Sequence, residues 1–226
     1  MDKKIMEIEE LLPSAEKRFW EMAGMEPYTE AGENIGKTVK KLSERIFSSC
    51  QVLYTLESFP VEENAQGRLE FCGYSFSADF LEQGEKKKIK RAAVYMITLS
   101  GTESAETLNP LEQVCYDLFG TGLIDCAMVK LREEMSHQGR YHVSPAMGPG
   151  YYGLPIGDVI ELYRISEGEK LGVTLSSSGL MLPEKSRTGF CILSEERLTM
   201  ASQCIQCNGQ EQSCRICNVL REQEGR

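Results

Sequence analysis

Residues 144–155 read SPAMGPGYYGLP, with three prolines and three glycines in twelve positions and Tyr151 and Tyr152 near the centre. A simple reversal of direction needs only about four residues. Proline fixes φ, and glycine lets a backbone approach its neighbours closely. The stretch therefore reads either as an irregular crossover loop or as a shaped backbone cradle for a small molecule. Its neighbours narrow the fold. Downstream, GDVIELYRI reads as a short helix, LGVTLSSSGLMLP as strand, turn and strand, and EKSRTGFCIL as a further strand. Ser176, Ser177 and Ser178 either form that turn or line a pocket.

Upstream, Asn109-Pro110 is a cap followed by proline at the first helical position, a strong helix start. The helix runs LEQVCYDLFGTGLIDCAMVKLREEM. Between Leu118 and Val129 it is apolar or small on nearly every side, the pattern of a helix buried all round. Gly120 and Gly122 each cost about 1 kcal/mol relative to alanine in a helix interior. Something is therefore expected to pack close to the backbone there. Leu111, Val114, Leu118, Gly122, Asp125 and Val129 fall on one face. An unpaired carboxylate on such a face is costly, so Asp125 should meet a buried Lys or Arg, a cleft edge or a ligand.

RLEFCGYSF and AAVYMITLS have the aromatic and β-branched content of strands. Residues 3–24 read as a helix restarting near Pro13. A second helical pattern runs from about 32 to 57 through Ile35, Val39, Leu42 and Ile46, with Pro60 ending it. No internal repeat appears. The reading is one mixed α/β domain over residues 1–200 and a cysteine-rich tail over 201–226.

Composition excludes some functions. The net charge of −9 argues against nucleic acid as a partner, which needs a clustered basic surface. The one basic run, KKKIKR at 86–91, reads as the solvated start of a strand. The first residues, MDKKIMEIEELL, are charged throughout and lack the apolar run of a secretion signal, so a cytoplasmic location is expected. No stretch is apolar over the length a membrane crossing needs.

Nine cysteines without such a signal point to free thiols or metal ligands. In CIQCNGQEQSCRIC, Cys204, Cys207, Cys214 and Cys217 form two CxxC pairs separated by a polar, turn-forming segment. Four thiolates so placed can converge on zinc or on an iron–sulfur cluster. Cys191 is a further candidate ligand, whereas Cys50, Cys72, Cys115 and Cys126 read as core.

The order of these pieces resembles the activation domain of cobalamin-dependent methionine synthase. AVYMITLSG, the glycine-bearing helix with its acid, PGYYGLP and GVTLSSSGLMLPEKSRTG follow one another as in that family, over roughly residues 90–195. The resemblance implies an α/β (α+β) fold, a bent antiparallel sheet with flanking helices. It implies binding of S-adenosylmethionine and its presentation to cobalamin on a partner, a corrinoid protein or methyltransferase. There the bound methyl donor would support reductive remethylation of oxidised cobalt, catalysis by proximity and orientation rather than by a nucleophile. The family's PGY motif falls on Pro149, Gly150 and Tyr151, and its mid-helix acid on Asp125, an aspartate where glutamate is usual. The family's arginine five residues before the tyrosine is Ala146 here, leaving Arg140 and Arg187 as substitutes. In this context the cysteine tail favours a 4Fe-4S cluster over zinc, taking electrons from a donor protein. The alternative is a non-catalytic metal-binding interaction module that keeps the fold without the cofactor.

Overall fold

The computed structural model describes residues 1–82, 84–101, 108–136 and 139–200. Its centre is AAVYMITL. Strand β6 (Ile89–Ser100) is buried at every position from Ala92 to Leu99. A run that is apolar on both faces is what a strand covered on both sides requires. On one side β6 pairs antiparallel with β2 (Gln51–Pro60), from Gln51 opposite Ser100 to Pro60 opposite Arg91. On the other it pairs antiparallel with β10 (Ser186–Ser194). Short strands β1 (Lys4–Met6) and β7 (His142–Val143) close the two edges. Beyond the main sheet lie the small sheet of β3 (Glu62–Glu63), β4 (Leu69–Phe71) and β5 (Tyr74–Phe76), and the hairpin of β8 (Thr174–Leu175) and β9 (Met181–Leu182).

Alternation along the strands sorts side chains between two cores. Val52, Tyr54, Ala93, Tyr95, Ile97, Leu99, Cys191 and Leu193 face the helices α1 (Leu12–Ala23), α2 (Glu30–Arg45) and α3 (Pro110–Met135). Ala92, Val94, Phe190 and Ile192 face the other way, toward β4, β5 and the helix α4 (Val159–Ile165). The result is the expected bent antiparallel sheet with flanking helices.

Local chemistry explains the helix layer. Asn109 caps α3 in a reciprocal box: its side chain accepts from Glu112 N at 3.0 Å, and the Glu112 carboxylate accepts from Asn109 N at 3.1 Å. Two orphan donors are satisfied at once. The glycines of α3 are close-approach points, as expected. A Cβ on Gly122 would stand 3.1 Å from the Ala15 carbonyl of α1, and one on Gly120 would touch the Lys185 stem and Leu99.

Two readings of the N-terminal third change. Residues 4–6 form a strand and residues 8–10 a 3-10 turn, so the first helix begins only at Leu12. The second helix stops at Arg45, and residues 51–60 are β2. The apolar spacing up to Ile46 is helical, but QVLYTLESF is β-branched and aromatic enough to supply the partner that β6 needs. Among the described residues, no helix is long and apolar enough to cross a membrane.

Candidate ligand site

The PGY loop is tied to the open edge of β10. Strand β7 covers only Leu193 and Ser194. Past it the chain continues irregularly along the same edge, because Pro145 offers no N–H to a regular ladder. Ser144 N donates to Ile192 O at 2.9 Å, and Ile192 N donates to Ser144 Oγ at 2.8 Å. Met147 and Phe190 then exchange both backbone bonds at 2.9 Å. Gly189 makes this approach possible, since a Cβ there would lie 2.2 Å from the Met147 carbonyl oxygen. The loop next closes on itself: Gly150 N donates to Leu154 O at 2.9 Å and Tyr151 N to Gly148 O at 3.0 Å. Gly150 and Gly153 adopt positive φ, and so does Tyr152 at 53°. A tyrosine held there is strained unless its surroundings demand it. Tyr152 is buried on the aromatic side of the sheet, which leaves Tyr151 outside, 56% exposed.

Across the helix-facing side of the sheet stands a charged cluster. Asp125 Oδ2 accepts from Arg18 Nε of α1 at 3.2 Å, and Asp125 Oδ1 lies 3.7 Å from Arg187 Nη1 of β10. Arg18 is itself buried and also donates to Glu21 at 3.2 Å. Of the alternatives open for Asp125, the protein supplies arginine partners. A groove of about 370 Å³ between α1 and α3 reaches this cluster, lined by Glu10, Lys17, Arg18, Glu21, Asp125 and Cys126. Burial pushes the Cys126 thiol up to about 11, reinforced by the adjacent Asp125 charge.

Arg187 links this cluster to the loop. It stands two residues before Gly189 on the same face of β10, and Gly189 is paired with Tyr95 of β6. Its guanidinium is within electrostatic reach of Tyr95, Asp125 and Tyr151. Tyr95 is fully buried, and burial pushes its phenol up to about 12 against the opposing pull of Arg187. The site thus combines an exposed aromatic on a rigid loop, a carboxylate and a guanidinium. Such a set suits a ligand with a flat apolar part and a zwitterionic end.

The candidate residues behave unequally. Pro149, Gly150 and Tyr151 form the closed loop, and Asp125 stands in the charged cluster that shares Arg187 with it. The face assigned to Asp125 is less buried than its apolar content suggests, because Leu111, Val114 and Val129 are exposed and the core takes Cys115, Phe119, Leu123 and Ala127 instead. Ser176 forms the β8–β9 turn, accepting Leu180 N at 2.9 Å. Cys72 is exposed in the β4–β5 turn, contrary to a core reading. Cys191 is fully buried among apolar side chains and burial pushes its thiol up to about 12, so it is core rather than a ligand. Cys204, Cys207, Cys214 and Cys217 lie outside the described residues. Among the described residues, no group of three or more His, Cys, Asp or Glu could hold a metal.

Sequence reasoning missed Arg18 and Tyr95. Arg18 occupies the buried side of α1 beside Ala15 and Phe19, and a cation within that apolar stripe was the available signal. Tyr95 is the one hydroxyl-bearing aromatic inside AAVYMITL, and Gly189 opposite it marks the close approach.

Sheet, helix layer and edge loop together define a class of α/β domain, one whose bent antiparallel sheet carries helices on one side and a rigid loop along its free edge. In particular, its fold is similar to that of a methionine synthase reactivation domain. The chain is similar to the structure described as "Crystal Structure of the MetH Reactivation Domain bound to AdoHcy", with a TM-score of 0.62 and 15% sequence identity over 88% of this chain and 80% of that one. No family model and no curated protein matches it.

Proposed function

We propose that this protein binds S-adenosylmethionine and supports the reductive remethylation of a corrinoid carried by a partner protein. The observation that carries the reading is the tied PGY loop standing beside the Asp125–Arg187 cluster, in a fold shared with a domain that holds S-adenosylhomocysteine. Tyr151 would cover the nucleoside, and Asp125 would take the ligand's α-ammonium or ribose hydroxyls. When bound, the donor supplies a sulfonium methyl to cobalt that one added electron has reduced, and S-adenosylhomocysteine leaves. The chain's own part is to hold the methyl where the partner's corrinoid can reach it. An interaction module without the cofactor is not favoured, because the charged, rigid-walled site has no evident purpose in it.

The tail extends the proposal. Cys204, Cys207, Cys214 and Cys217 supply four thiolates, a donor set that fits a 4Fe-4S cluster or zinc. In a reductive reaction we favour the cluster, fed by an electron-donor protein. Calorimetric titration with S-adenosylmethionine tests the first claim, with binding expected and silence at millimolar ligand overturning it. Iron and zinc analysis of protein purified without oxygen tests the second. Brown protein that bleaches on joint Cys207→Ser and Cys214→Ser replacement is expected, and a colourless zinc protein would refute the redox role.

A further inference from the structure

Strands β6 and β10 hold two donors side by side that the protein leaves underused. The Tyr95 hydroxyl lies 2.9 Å from the position a Gly189 Cβ would take. It is buried and has no hydrogen-bond partner among the described residues. Buried hydroxyls are rarely left so, and an orphan at a candidate site points to a missing acceptor. Arg187, two residues from Gly189, projects from the same face of β10. The Arg187 guanidinium stands close enough to act on the phenol by charge and by a marginal hydrogen bond to its oxygen, short of a well-formed one, and the hydroxyl proton still lacks an acceptor. Its contact with Asp125, at 3.7 Å, is an ion pair too long for a hydrogen bond. Asp125 is meanwhile served by Arg18 at 3.2 Å.

A guanidinium and a hydroxyl held side by side call for an acceptor with two oxygens, and a carboxylate is the group whose geometry matches the guanidinium fork. Two other cations are engaged, and Arg132 donates to Val143 O at 3.2 Å while keeping a buried Nε unpaired. Arg18 is buried between Asp125 and Glu21, and Arg140 lies over the Tyr141 ring at 5.3 Å. Arg187, its side chain 40% exposed, is open to solvent where Arg18 is not. We propose that Arg187 and Tyr95 together form the subsite for the carboxylate of the ligand's amino-acid end, with Asp125 beside them for its ammonium. Specificity for a ligand carrying an intact amino acid would then come from β10 and β6 rather than from the PGY loop. The inference rests on the reading that the site takes an S-adenosylmethionine-type ligand.

The test compares S-adenosylhomocysteine with 5′-methylthioadenosine, which keeps the nucleoside and sulfur but lacks the amino acid. In calorimetric titrations of the full chain, the parent is expected to prefer S-adenosylhomocysteine. Arg187→Met should lower that preference by about tenfold to a hundredfold, the effect of losing a charged hydrogen bond, with 5′-methylthioadenosine binding unchanged. Arg187→Lys should restore part of it, and Tyr95→Phe should give a smaller loss in the same direction. An unchanged unfolding temperature is expected for Arg187→Met, whose side chain is partly solvated. If Arg187→Met keeps the parent's full preference, the carboxylate subsite is wrong while the proposed function stands. A parent that binds neither compound sinks the proposed function itself and this inference with it.

Discussion

Phe190 and Cys191 are neighbours on one strand and look into different chemistry. On the Phe190 side, Phe71, Tyr74, Phe76 and Phe80 join it in a ring cluster whose centroids lie as close as 4.8 Å. Its polar atoms sit at the margin, where the Tyr74 hydroxyl donates to Asp158 at 2.5 Å. On the Cys191 side the same sheet carries Tyr95 and Arg187, and the helices over it bring Asp125 and the buried Arg18. One face is packed to be stable, while the other accepts an orphan hydroxyl and a loosely paired guanidinium. Sites that bind ligands commonly accept such local costs. The PGY loop passes around the edge between the two, with Ala146 packed on the helix side and Met147 and Tyr152 on the aromatic side.

The aromatic face should therefore show the largest effect on stability. Phe190→Ala removes a fully buried ring at the centre of that cluster, and a loss of about 3–5 kcal/mol in urea unfolding is expected. A loss below about 1 kcal/mol would mean that the cluster collapses readily and is not the anchor of the fold. Asp125→Ala on the helix face should cost less, about 1–3 kcal/mol. It deprives buried Arg18 of one partner, but Glu21 remains and the carboxylate is partly solvated.

The faces also differ in how they were legible. The α3 start, the strands β6 and β10, and the β8–β9 turn follow from local signals, and the structure keeps them. What failed was long-range. QVLYTLESF continues a helical spacing, and only its pairing with β6 makes it a strand. Asp125 was visible as an acid among apolar residues, yet its partners come from α1 and β10, more than sixty residues away in either direction. Tyr95 was hidden because a tyrosine inside an apolar strand looks like core until its hydroxyl is found without an acceptor.

Alkaline unfolding compares the faces through Tyr95. Its phenol is raised to about 12 in the folded protein, chiefly by burial, against an ordinary value near 10. The folded state therefore holds this proton more tightly than the unfolded chain. The stability so gained is complete below about pH 10 and fades as pH rises from there through about 12. Tyr95→Phe should flatten that part of the stability–pH curve. Tyr74, also raised by burial, should still contribute its own alkaline loss from the aromatic side. An unchanged curve in Tyr95→Phe would mean that the phenol is solvated in solution.

The finest test lies within one pair of residues. Tyr151 and Tyr152 are adjacent in the same loop, but Tyr152 packs its ring edgewise on Phe80 at 5.5 Å while Tyr151 is largely solvated. Tyr152→Ala should destabilise the protein by about 3 kcal/mol through its lost packing, offset in part if the strain at positive φ is relieved. Tyr151→Ala should leave stability within about 0.5 kcal/mol of the parent. Its effect should appear only in ligand binding, as a roughly tenfold loss of affinity for S-adenosylmethionine from an aromatic contact worth about 1.4 kcal/mol. Paired urea and calorimetric titrations of the two variants separate these outcomes. If Tyr151→Ala binds as tightly as the parent, the loop serves only to cover the edge of β10, and the ligand must be held by the charged cluster without it.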